Sequence, residues 1–546
     1  MPVDRRPARH RMVSAFASTT PGRIGTAVTS WMRRRPVPLH WTNVFSTVTT
    51  ATASVFLATG VVMMFLFDPS TEQIRYHGSY APLNGQLMSA AYASELRLAF
   101  DVHGGMLLRQ LHHWSMQLLP AAIIMQMLIT FFTGGFRKPR RTSWTLLFLL
   151  LIVALAGGWS GYGLPDDLLS GSGLRIVEGV ALGIPVVGTD IAGLLFGGPF
   201  PGRIIETLAV VHFGIVPAAM IALLLLRAVI TVAQPAAQFP APGRSEATVV
   251  GVPLWPNGLL RLGGLWTAVI GILVAVSTTV TVNPVWLYGP SDPANATAGS
   301  QPDWYTAFLD GALRLVPPGW EVVVADRTVT FAIIVPLLAV GAFLAVVLGY
   351  PFIEQWITGD TREHHLLERP RDTPTRTGFG VAGVTLYAVL WSAGSADVLA
   401  HQFRLALETV IHTEQALLLG GPVVAFALTR RVALALQRKD REALEHGYES
   451  GRVVRLPDGE HVAVHAPVSA EERWRILAAE HPGPIAIRPR ADGRITTAMR
   501  LRGNLNAFFF RDRLAPLPSH ALGETVSSHF ATPLRHSERG QERSRR

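Results

Sequence analysis

Long apolar stretches alternate with short polar segments along the chain, and this pattern predicts the fold. A helix that crosses the hydrocarbon core of a membrane takes about 20 apolar residues. Such stretches cover residues 41–67, 107–132, 144–159, 208–233, 262–280, 329–350, 378–395 and, more weakly, 416–431. The pattern therefore predicts an all-α integral membrane protein with about eight transmembrane helices.

The polar segments divide the chain into five predicted parts. A basic N-terminal tail (1–40) precedes a four-helix bundle (41–234), and a linker (235–260) separates this bundle from a second four-helix block (261–436). The remaining part, 437–546, is rich in charge and proline and is predicted to be a soluble tail. In this count the basic loops all fall on one side, which is cytoplasmic under the positive-inside rule. Both termini are therefore predicted to be cytoplasmic.

Composition supports a membrane location and limits the chemistry. Of the 546 residues, 49% are hydrophobic and 16% are charged, and the mean hydropathy is +0.30. The formal charge of +10 comes largely from arginines in the tails and short loops. No nucleic-acid-binding motif accompanies it. The chain has no cysteine, which excludes disulfides, thiolate metal sites and covalently attached haem. Histidine or carboxylate side chains must therefore hold any cofactor.

Two histidines are the strongest candidates for metal ligands. His112 lies near the start of the second predicted span, and His212 lies at a similar depth in the fourth, which runs in the same direction. A single histidine near an interface is often only solvated, but ionisable residues inside a span are candidates for function. Two imidazoles at one depth of a helix bundle suit axial ligation of a haem iron.

Two neighbours of His112 were also considered. Arg109 lies three residues earlier on the same helix face, where its guanidinium could meet a haem propionate. An arginine that snorkels to the membrane interface would give the same pattern. His113 points to another side of the helix and is interpreted as structural.

Longer motifs resemble one known family. In order over about residues 41–457, the chain carries FLFDPSTEQIRYHGSYAPLNG, LLRQLHHW, FFTGGFRKPR, GYGLPDDLLSGSGLR, QFPAPGRSE, NPVWLYGP, AGSQPDWY, YPFIEQWITGD and LLERPRDTPTRT. This series is similar to the cytochrome b subunit of actinobacterial cytochrome bc1 complexes. The resemblance implies two stacked b haems in the first four helices and oxidation of a quinol, for actinobacteria a menaquinol, near the outer face. It also implies a dimeric plasma-membrane complex with a Rieske iron–sulfur subunit and a cytochrome c subunit.

The resemblance also identifies a quinol pocket. The family has a Pro-Glu-Trp-Tyr motif, or its Asp version, between the fifth and sixth spans, and here it reads Pro302, Asp303, Trp304, Tyr305. Asp303 has the chemistry of a base for a quinol hydroxyl. If the stretch is helical, Asp310 would share its face and serve as a second relay. Without the family, Asp303 would be interpreted as a turn residue after proline.

The segment GYGLPDDLLSG, residues 161–171, corresponds to the family's opposite wall of this pocket. Its Asp166 and Asp167 equally suit the N-terminal cap of a helix.

The ligands of an inner haem are missing from the sequence. In the family they lie fourteen residues past the first ligand on one helix and fourteen or fifteen on the other, roughly 21 Å deeper at 1.5 Å per residue. Gln126 occupies the first position, and Leu226 and Arg227 occupy the second. The second to fifth predicted spans contain no further histidine that could replace these ligands.

Other positions at the inner depth also indicate that the inner haem is missing. Gly60 and Gly161 would allow a haem edge to approach the backbone at the outer depth. Ser46 and Leu147 stand fourteen residues away, at the inner depth. Ile129 replaces the arginine that the family uses for an inner propionate.

We therefore predict one b haem, near the outer face. Leu147, Ile129 and Leu226 are expected to fill the vacated space, and Arg227 is expected to snorkel to the cytoplasmic surface. The less favoured alternative is weak ligation of a second haem by Gln126 and Arg227.

Two classes of function are compatible with these features. In the first, the chain is an electron-transfer subunit of a quinol–cytochrome c reductase, with one haem and therefore without an obvious route for full electron bifurcation. In the second, it is a catalytically impaired paralogue that acts as a scaffold or regulatory subunit. The intact motif at 302–305 and the histidine pair favour the first class. A transporter explains the histidine pair poorly, because no broken-helix repeat is evident.

Overall fold

Helices dominate the structure. The computed structural model describes residues 20–295, 297, 300–317, 319–324, 327–477 and 495–511. Its α-helices are α1 (Thr20–Arg34), α2 (Val44–Met63), α3 (Ala90–Phe100), α4 (Gly105–Phe132), α5 (Arg141–Gly163), α6 (Leu168–Leu182), α7 (Gly188–Phe196), α8 (Ile204–Val210), α9 (Val216–Ala233), α10 (Leu259–Thr279), α11 (Ala307–Arg314), α12 (Phe331–Thr358), α13 (Pro374–Ala393), α14 (Ala396–Phe403), α15 (Leu407–His446), α16 (Ala470–Leu477) and α17 (Thr497–Phe510). A π-helical segment, Val211–Ile215, joins α8 to α9.

Short strands form four separate antiparallel pairs outside the helices. The strands are β1 (Pro36–Val37), β2 (Gln73–Arg75), β3 (Leu87–Ser89), β4 (Val252–Pro253), β5 (Glu321–Val324), β6 (Arg327–Thr330), β7 (Tyr448–Arg455) and β8 (His461–Ala466). They pair as β1 with β4, β2 with β3, β5 with β6 and β7 with β8. The first of these pairs joins the N-terminal segment to the predicted linker.

The predicted spans are present as long apolar helices. In the described part of the chain, the helical segments that can cross a membrane are Trp41–Met63, Gly105–Phe132, Arg141–Gly163, Ile204–Ala233, Leu254–Thr279, Phe331–Thr358 and Leu407–His446. The predicted seventh span corresponds to α13 and α14, which are bent by 68° at a short break. With this pair as one span the total is eight, so the all-α membrane fold is confirmed.

The last span is longer than its apolar pattern. The prediction covered residues 416–431, whereas α15 begins at Leu407 and ends at His446. Its final turns carry many Arg, Lys and Glu side chains, which favour a helix without being apolar. The predicted boundary between the second block and the tail, at 436/437, therefore falls inside one continuous helix.

Part of the predicted tail packs against the second block. In α17, Arg502 Nε donates to the carbonyl of Trp356 at 2.7 Å, and Asn506 Nδ2 donates to the carbonyl of Ile357 at 2.8 Å. Both carbonyls belong to the last turn of α12, where backbone acceptors have no partner within the helix. The side chains of α17 therefore complete the end of α12.

The basic loops and the linker meet at one face of the molecule. The backbone N–H of His364, between α12 and α13, donates to the carbonyl of Lys138, between α4 and α5, at 2.8 Å. In the linker, the N–H of Gln238 donates to the carbonyl of His365 at 3.0 Å. These contacts agree with the prediction that the loops share one side. Its assignment to the cytoplasm stays a prediction.

The first bundle is packed differently at two depths. We call the layer of His112 and His212 the histidine level, and the layer of Gln126 the glutamine level. A cavity opens at the histidine level. Beyond it, toward the glutamine level, apolar side chains fill the bundle, and the buried ones include Ile123, Met127, Leu147, Leu150 and Met220. Half-buried side chains of α12, among them Leu344, Val347 and Tyr350, pack against the same core.

Candidate haem and quinol site

The two predicted ligands lie side by side in the bundle. The ring centres of His112, on α4, and His212, in the π-helical segment, are 5.9 Å apart, and the rings are inclined by 73°. Two imidazoles that share one metal, with nitrogen–metal distances of about 2 Å, have ring centres roughly 6 Å apart. Phe56 stacks on His112 at 4.5 Å and meets His212 edge-on at 6.0 Å. The spacing of the two rings therefore suits a shared metal.

A hydroxyl group orients each imidazole. Thr59 Oγ1 lies 2.9 Å from Nδ1 of His112 and also donates to the carbonyl of Val55 at 2.7 Å. Ser160 Oγ lies 3.0 Å from Nδ1 of His212 and donates to the carbonyl of Ala156 at 2.7 Å. A hydroxyl has a single hydrogen, and because the backbone carbonyl takes it, the oxygen accepts from the imidazole N–H.

This arrangement selects one tautomer of each ring. With the proton on Nδ1, the lone pair of each ring lies on Nε2, and Nε2 has no hydrogen-bond partner among the described residues. Metal-ligating histidines are held in this way by a group that binds the other ring nitrogen. Neither Thr59 nor Ser160 was predicted from the sequence. A signal was present, because each hydroxyl residue directly precedes one of the predicted glycines.

The two glycines provide space for the rings. A Cβ atom at Gly60 would lie 3.1 Å from Cε1 of His112, and one at Gly161 would lie 2.7 Å from Cε1 of His212. Contacts under 3.0 Å require a shift of one partner. Side chains at these positions, at Gly161 above all, would therefore displace the imidazoles.

A cavity lies next to the two histidines. Its space free of protein atoms is about 1040 Å³, a figure that includes open solvent. The predicted site residues that line it are Gly60, Arg109, His112, Gly161, His212, Asp303 and Tyr305. The structure thus brings together residues from both halves of the chain.

Arg109 lines this cavity as a buried residue. Only 3% of its surface is exposed, which excludes the snorkelling alternative, and its Nε donates to a carboxylate oxygen of Glu95 on α3. Glu95 is 4% exposed and lines the same cavity. Loss of one partner of a buried ion pair typically costs about 3–5 kcal/mol. The sequence analysis missed Glu95, since nothing in its local pattern marks an ion pair.

A hydrogen-bonded chain surrounds the predicted base. Asp303 Oδ2 accepts from the Tyr305 hydroxyl at 2.6 Å, and Oδ1 accepts from Gln117 Nε2 at 2.9 Å. Gln117 Nε2 is also 3.1 Å from Nε2 of His113. His113 therefore lines the same cavity as His112, although it was expected to point elsewhere, and its structural role stays a prediction. His113 and Gln117 lie one helical turn apart, so both reach the Asp303 side of the cavity.

Tyr305 is held deep in the site. It is 2% exposed, and burial together with the nearby Asp303 carboxylate raises the pKa of the Tyr305 hydroxyl well above its usual value. A Cβ atom at Gly158 would lie 2.3 Å from the Tyr305 hydroxyl oxygen. Gly158, on α5, therefore provides the space for Tyr305. The sequence analysis did not identify it.

Three predicted site residues lie away from the cavity lining. The residues 303–306 form a turn and α11 begins only at Ala307, so Asp310 does not share a helix face with Asp303. Asp310 instead pairs with Arg314 at 2.6 Å, and the expected relay has no support in this arrangement. Pro302 directly precedes this turn and Trp304 lies in it, and both are also absent from the described lining.

The opposite wall contains the predicted helix cap. Asp167 caps α6 and accepts from the N–H of Leu169 at 3.0 Å. The neighbouring Asp166 has a positive φ of 53°, and burial raises the pKa of its carboxyl to about 6. Of the two aspartates, Asp167 therefore has the helix-cap role that the sequence offered as an alternative.

At the glutamine level, one of the side chains that were predicted to fill the bundle does not do so. Leu147 is buried in the core, but Leu226 is 48% exposed and does not fill the bundle. A helix places neighbouring residues on different faces, and the face of Leu226 is the outward one. The Arg227 guanidinium lies 3.5 Å from Ser46 Oγ, in the first turn of α2, and its extension to the cytoplasmic surface stays a prediction. Gln126 Oε1 is buried without a partner in the described structure.

The fold and the site define a multi-pass helical membrane protein with paired imidazoles in the core of its first bundle. Residues 117–290 match the family model described as cytochrome b (N-terminal)/b6/petB. The chain is 40% identical to the cytochrome bc1 complex cytochrome b subunit of Streptomyces coelicolor, over 93% of this chain and 95% of that protein. It is 39% identical to the same subunit of Mycobacterium tuberculosis, over 82% and 81%.

A solved structure supports the fold. The hyperthermophilic respiratory complex III is similar with a TM-score of 0.54 and 17% identity, over 76% of this chain and 99% of that chain. The protein belongs to the family of cytochrome b subunits of cytochrome bc1 complexes, as the resemblance of its motifs predicted.

Proposed function

We propose that this subunit oxidises a quinol in the cavity at the histidine level and holds a single b haem there. The observation that carries the proposal is the pair of imidazoles 5.9 Å apart, each with Nδ1 bound by a hydroxyl, in the cavity that also contains Asp303. Nε2 of His112 and Nε2 of His212 would hold the haem iron. When bound, a b haem supplies a one-electron acceptor at this depth.

The residues around the cavity fit such a group. Gly60 and Gly161 leave open space beside the imidazoles, and Arg109 contributes a cationic side chain to the same wall. The apolar lining includes Phe56 and Met116, which suits a flat, largely apolar ligand. These features are those expected of a cofactor site with a few polar groups.

Asp303 is proposed as the proton acceptor. Quinol oxidation releases two protons and two electrons, and a carboxylate positioned at the hydroxyl can take one of these protons. Gln117 and Tyr305 each donate to Asp303, and these two hydrogen bonds fix the direction of its carboxylate. Through Gln117, His113 is the next group along the chain. Pro302 and Trp304 shape the turn that carries Asp303.

A single haem is supported by the packing of the bundle. The space between the histidine and glutamine levels is filled by buried side chains such as Met127 and Leu147. At the glutamine level, the only ligand candidates from the sequence were Gln126 and Arg227. Arg227 is directed at Ser46, and neither side chain is a usual haem ligand. Full electron bifurcation through two b haems is therefore not expected.

Membership in the family supports a proposal for the reaction, the partner subunits and the membrane location. The proposed reaction is that of a quinol–cytochrome c reductase in the plasma membrane, with a Rieske iron–sulfur subunit and a cytochrome c subunit as partners in a dimeric complex. Menaquinol is the proposed substrate, and both termini are proposed to be cytoplasmic. The basic loops that meet at one face support this orientation.

A scaffold or regulatory role is the second candidate. The filled bundle at the glutamine level favours it, because a subunit without the second haem cannot follow the usual route of electrons. The two candidates differ in one measurable property, since a scaffold would not be reduced by quinol.

The test is reduction of the b haem by a short-chain menaquinol analogue in membranes that contain the assembled complex. We expect rapid reduction in the wild type and a rate on the order of 100-fold lower in Asp303→Asn, because loss of a positioned base typically costs 10²–10⁴-fold. The exposed Asp190, on α7, provides the control Asp190→Asn, which should reduce at the wild-type rate. Wild-type rates in Asp303→Asn would contradict the role of Asp303, and an unreduced wild-type haem would favour the scaffold.

A further inference from the structure

Arg109 already has an anionic partner inside the cavity. Glu95, on α3, and Arg109, on α4, are both almost fully buried, and Arg109 Nε donates to Oε1 of Glu95. Both side chains line the cavity that contains His112. The positive charge expected beside a haem is therefore balanced by a residue of the protein itself.

The rest of the guanidinium is also bound. Nη2 donates to the carbonyl of Asn283 at 2.9 Å, and Nη1 lies 3.5 Å from the carbonyl of Val282. The guanidinium carbon is 5.7 Å from the centre of the Trp286 ring. These contacts hold Arg109 in one orientation before any ligand is present.

Glu95 itself has little freedom to move away. On α3, Tyr92 and Leu96 are fully buried and belong to the same apolar cluster as Val285. The Tyr92 hydroxyl donates to the carbonyl of Val285 at 3.0 Å. The helix that carries Glu95 is thus attached to the same 282–286 segment that binds Arg109, and the ion pair is part of a rigid unit.

A balanced ion pair and an isolated arginine act differently on an electron acceptor. An uncompensated cation favours the reduced form of the acceptor, and the effect is strong where water is excluded. A carboxylate in contact with the arginine cancels most of this effect. We propose that Glu95 is a positioning residue that holds Arg109 and cancels its charge, and thereby lowers the midpoint potential of the acceptor between His112 and His212.

This inference rests on the proposed haem ligation by His112 and His212.

The test is a redox titration of the b haem in the purified complex, followed by its absorption spectrum. We expect Glu95→Gln to raise the reduction equilibrium constant at least tenfold, which is about 59 mV for a one-electron couple. Glu95→Asp keeps the charge and should stay within threefold of the wild type. A smaller shift in Glu95→Gln, or a shift in the opposite direction, overturns the inference.

Two further variants test whether loss of the Glu95 carboxylate itself causes the shift in potential. Glu178→Gln removes the same charge from an ion pair with the exposed Arg175 and should leave the potential unchanged. If Glu95→Gln does not accumulate in membranes, Glu95→Ser removes the same charge with a smaller side chain and should give the same tenfold rise. An unchanged potential in Glu95→Ser overturns the inference, because the carboxylate would then have no effect on the acceptor.

The haem content of the wild type shows whether a negative result refutes the proposed function or only the role of Glu95. A wild-type complex without b haem refutes the proposed function, whereas a wild-type haem whose potential is insensitive to Glu95→Gln refutes the role of Glu95 alone.

Discussion

Single hydroxyl groups determine which nitrogen of each imidazole faces the cavity. Thr59 and Ser160 each bind Nδ1 of a histidine while their own hydrogens go to backbone carbonyls. The two histidines come from one bundle and receive the same support from two other helices, α2 and α5. This repetition supports the proposal that the two histidines hold one group together.

Loss of one of these hydroxyls should weaken haem binding. We expect Thr59→Val to lower haem affinity roughly 10–100-fold, the usual effect of removing a group that orients a metal ligand. The measurement is the haem occupancy of purified protein after dilution or competition with an apo-haem acceptor. Thr50→Val, on the same helix, is the matched control, because Thr50 is exposed and bonds only to α2 carbonyls. Equal haem retention in the two variants would contradict the orienting role.

The residues of the site were predictable to different degrees. His112 and His212 stand out because an imidazole is rare in an apolar span, and Asp303 was found through its motif. Glu95 and Gln117 were not found, because their roles depend on contacts between segments far apart in the chain. Tertiary contacts of this kind leave no trace in local hydropathy.

At the scale of the elements, close packing between a helix and a loop forms the Asp303 side of the cavity. Tyr305, in the turn before α11, places its hydroxyl where Gly158 of α5 has no side chain. The hydroxyl then reaches Asp303 at 2.6 Å. The position of the proposed base therefore depends on a glycine in another element.

A methyl group at Gly158 should disturb this packing. We expect Gly158→Ala to lower the rate of quinol-dependent haem reduction by at least tenfold, because the new Cβ would lie 2.3 Å from the Tyr305 hydroxyl oxygen. Haem content should stay at the wild-type level, since the histidines are untouched. The control is Gly271→Ala, on α10, where an added Cβ meets nothing within 4 Å. An unchanged rate in Gly158→Ala would show that Tyr305 does not need this space.

Helix lengths could be predicted from apolar runs except where charged residues continue a helix. The runs located every span because lipid allows only satisfied backbones. They did not reveal that α15 extends to His446 or that α14 bends away from α13. Charged residues favour a helix as strongly as apolar ones do, so hydropathy marks the membrane part of a helix and not its end.

At the scale of the whole molecule, the first bundle combines an open layer with a filled layer. The cavity at the histidine level is lined by residues from both halves of the chain. The filled layer receives side chains from α12, and Trp144 Nε1 donates to the carbonyl of Val347 at 2.9 Å. The sequence predicted this contrast from missing ligands. It could not predict that a helix of the second block would contribute to the filling.

The most direct test of the account is the amount of b haem bound per chain. A pyridine haemochrome assay on the purified complex, with the protein quantified independently, should give one b haem per copy of this subunit. His112→Ala should give none, because the one proposed iron would lose an axial ligand. Two b haems per subunit in the wild type, or one retained in His112→Ala, would contradict the account.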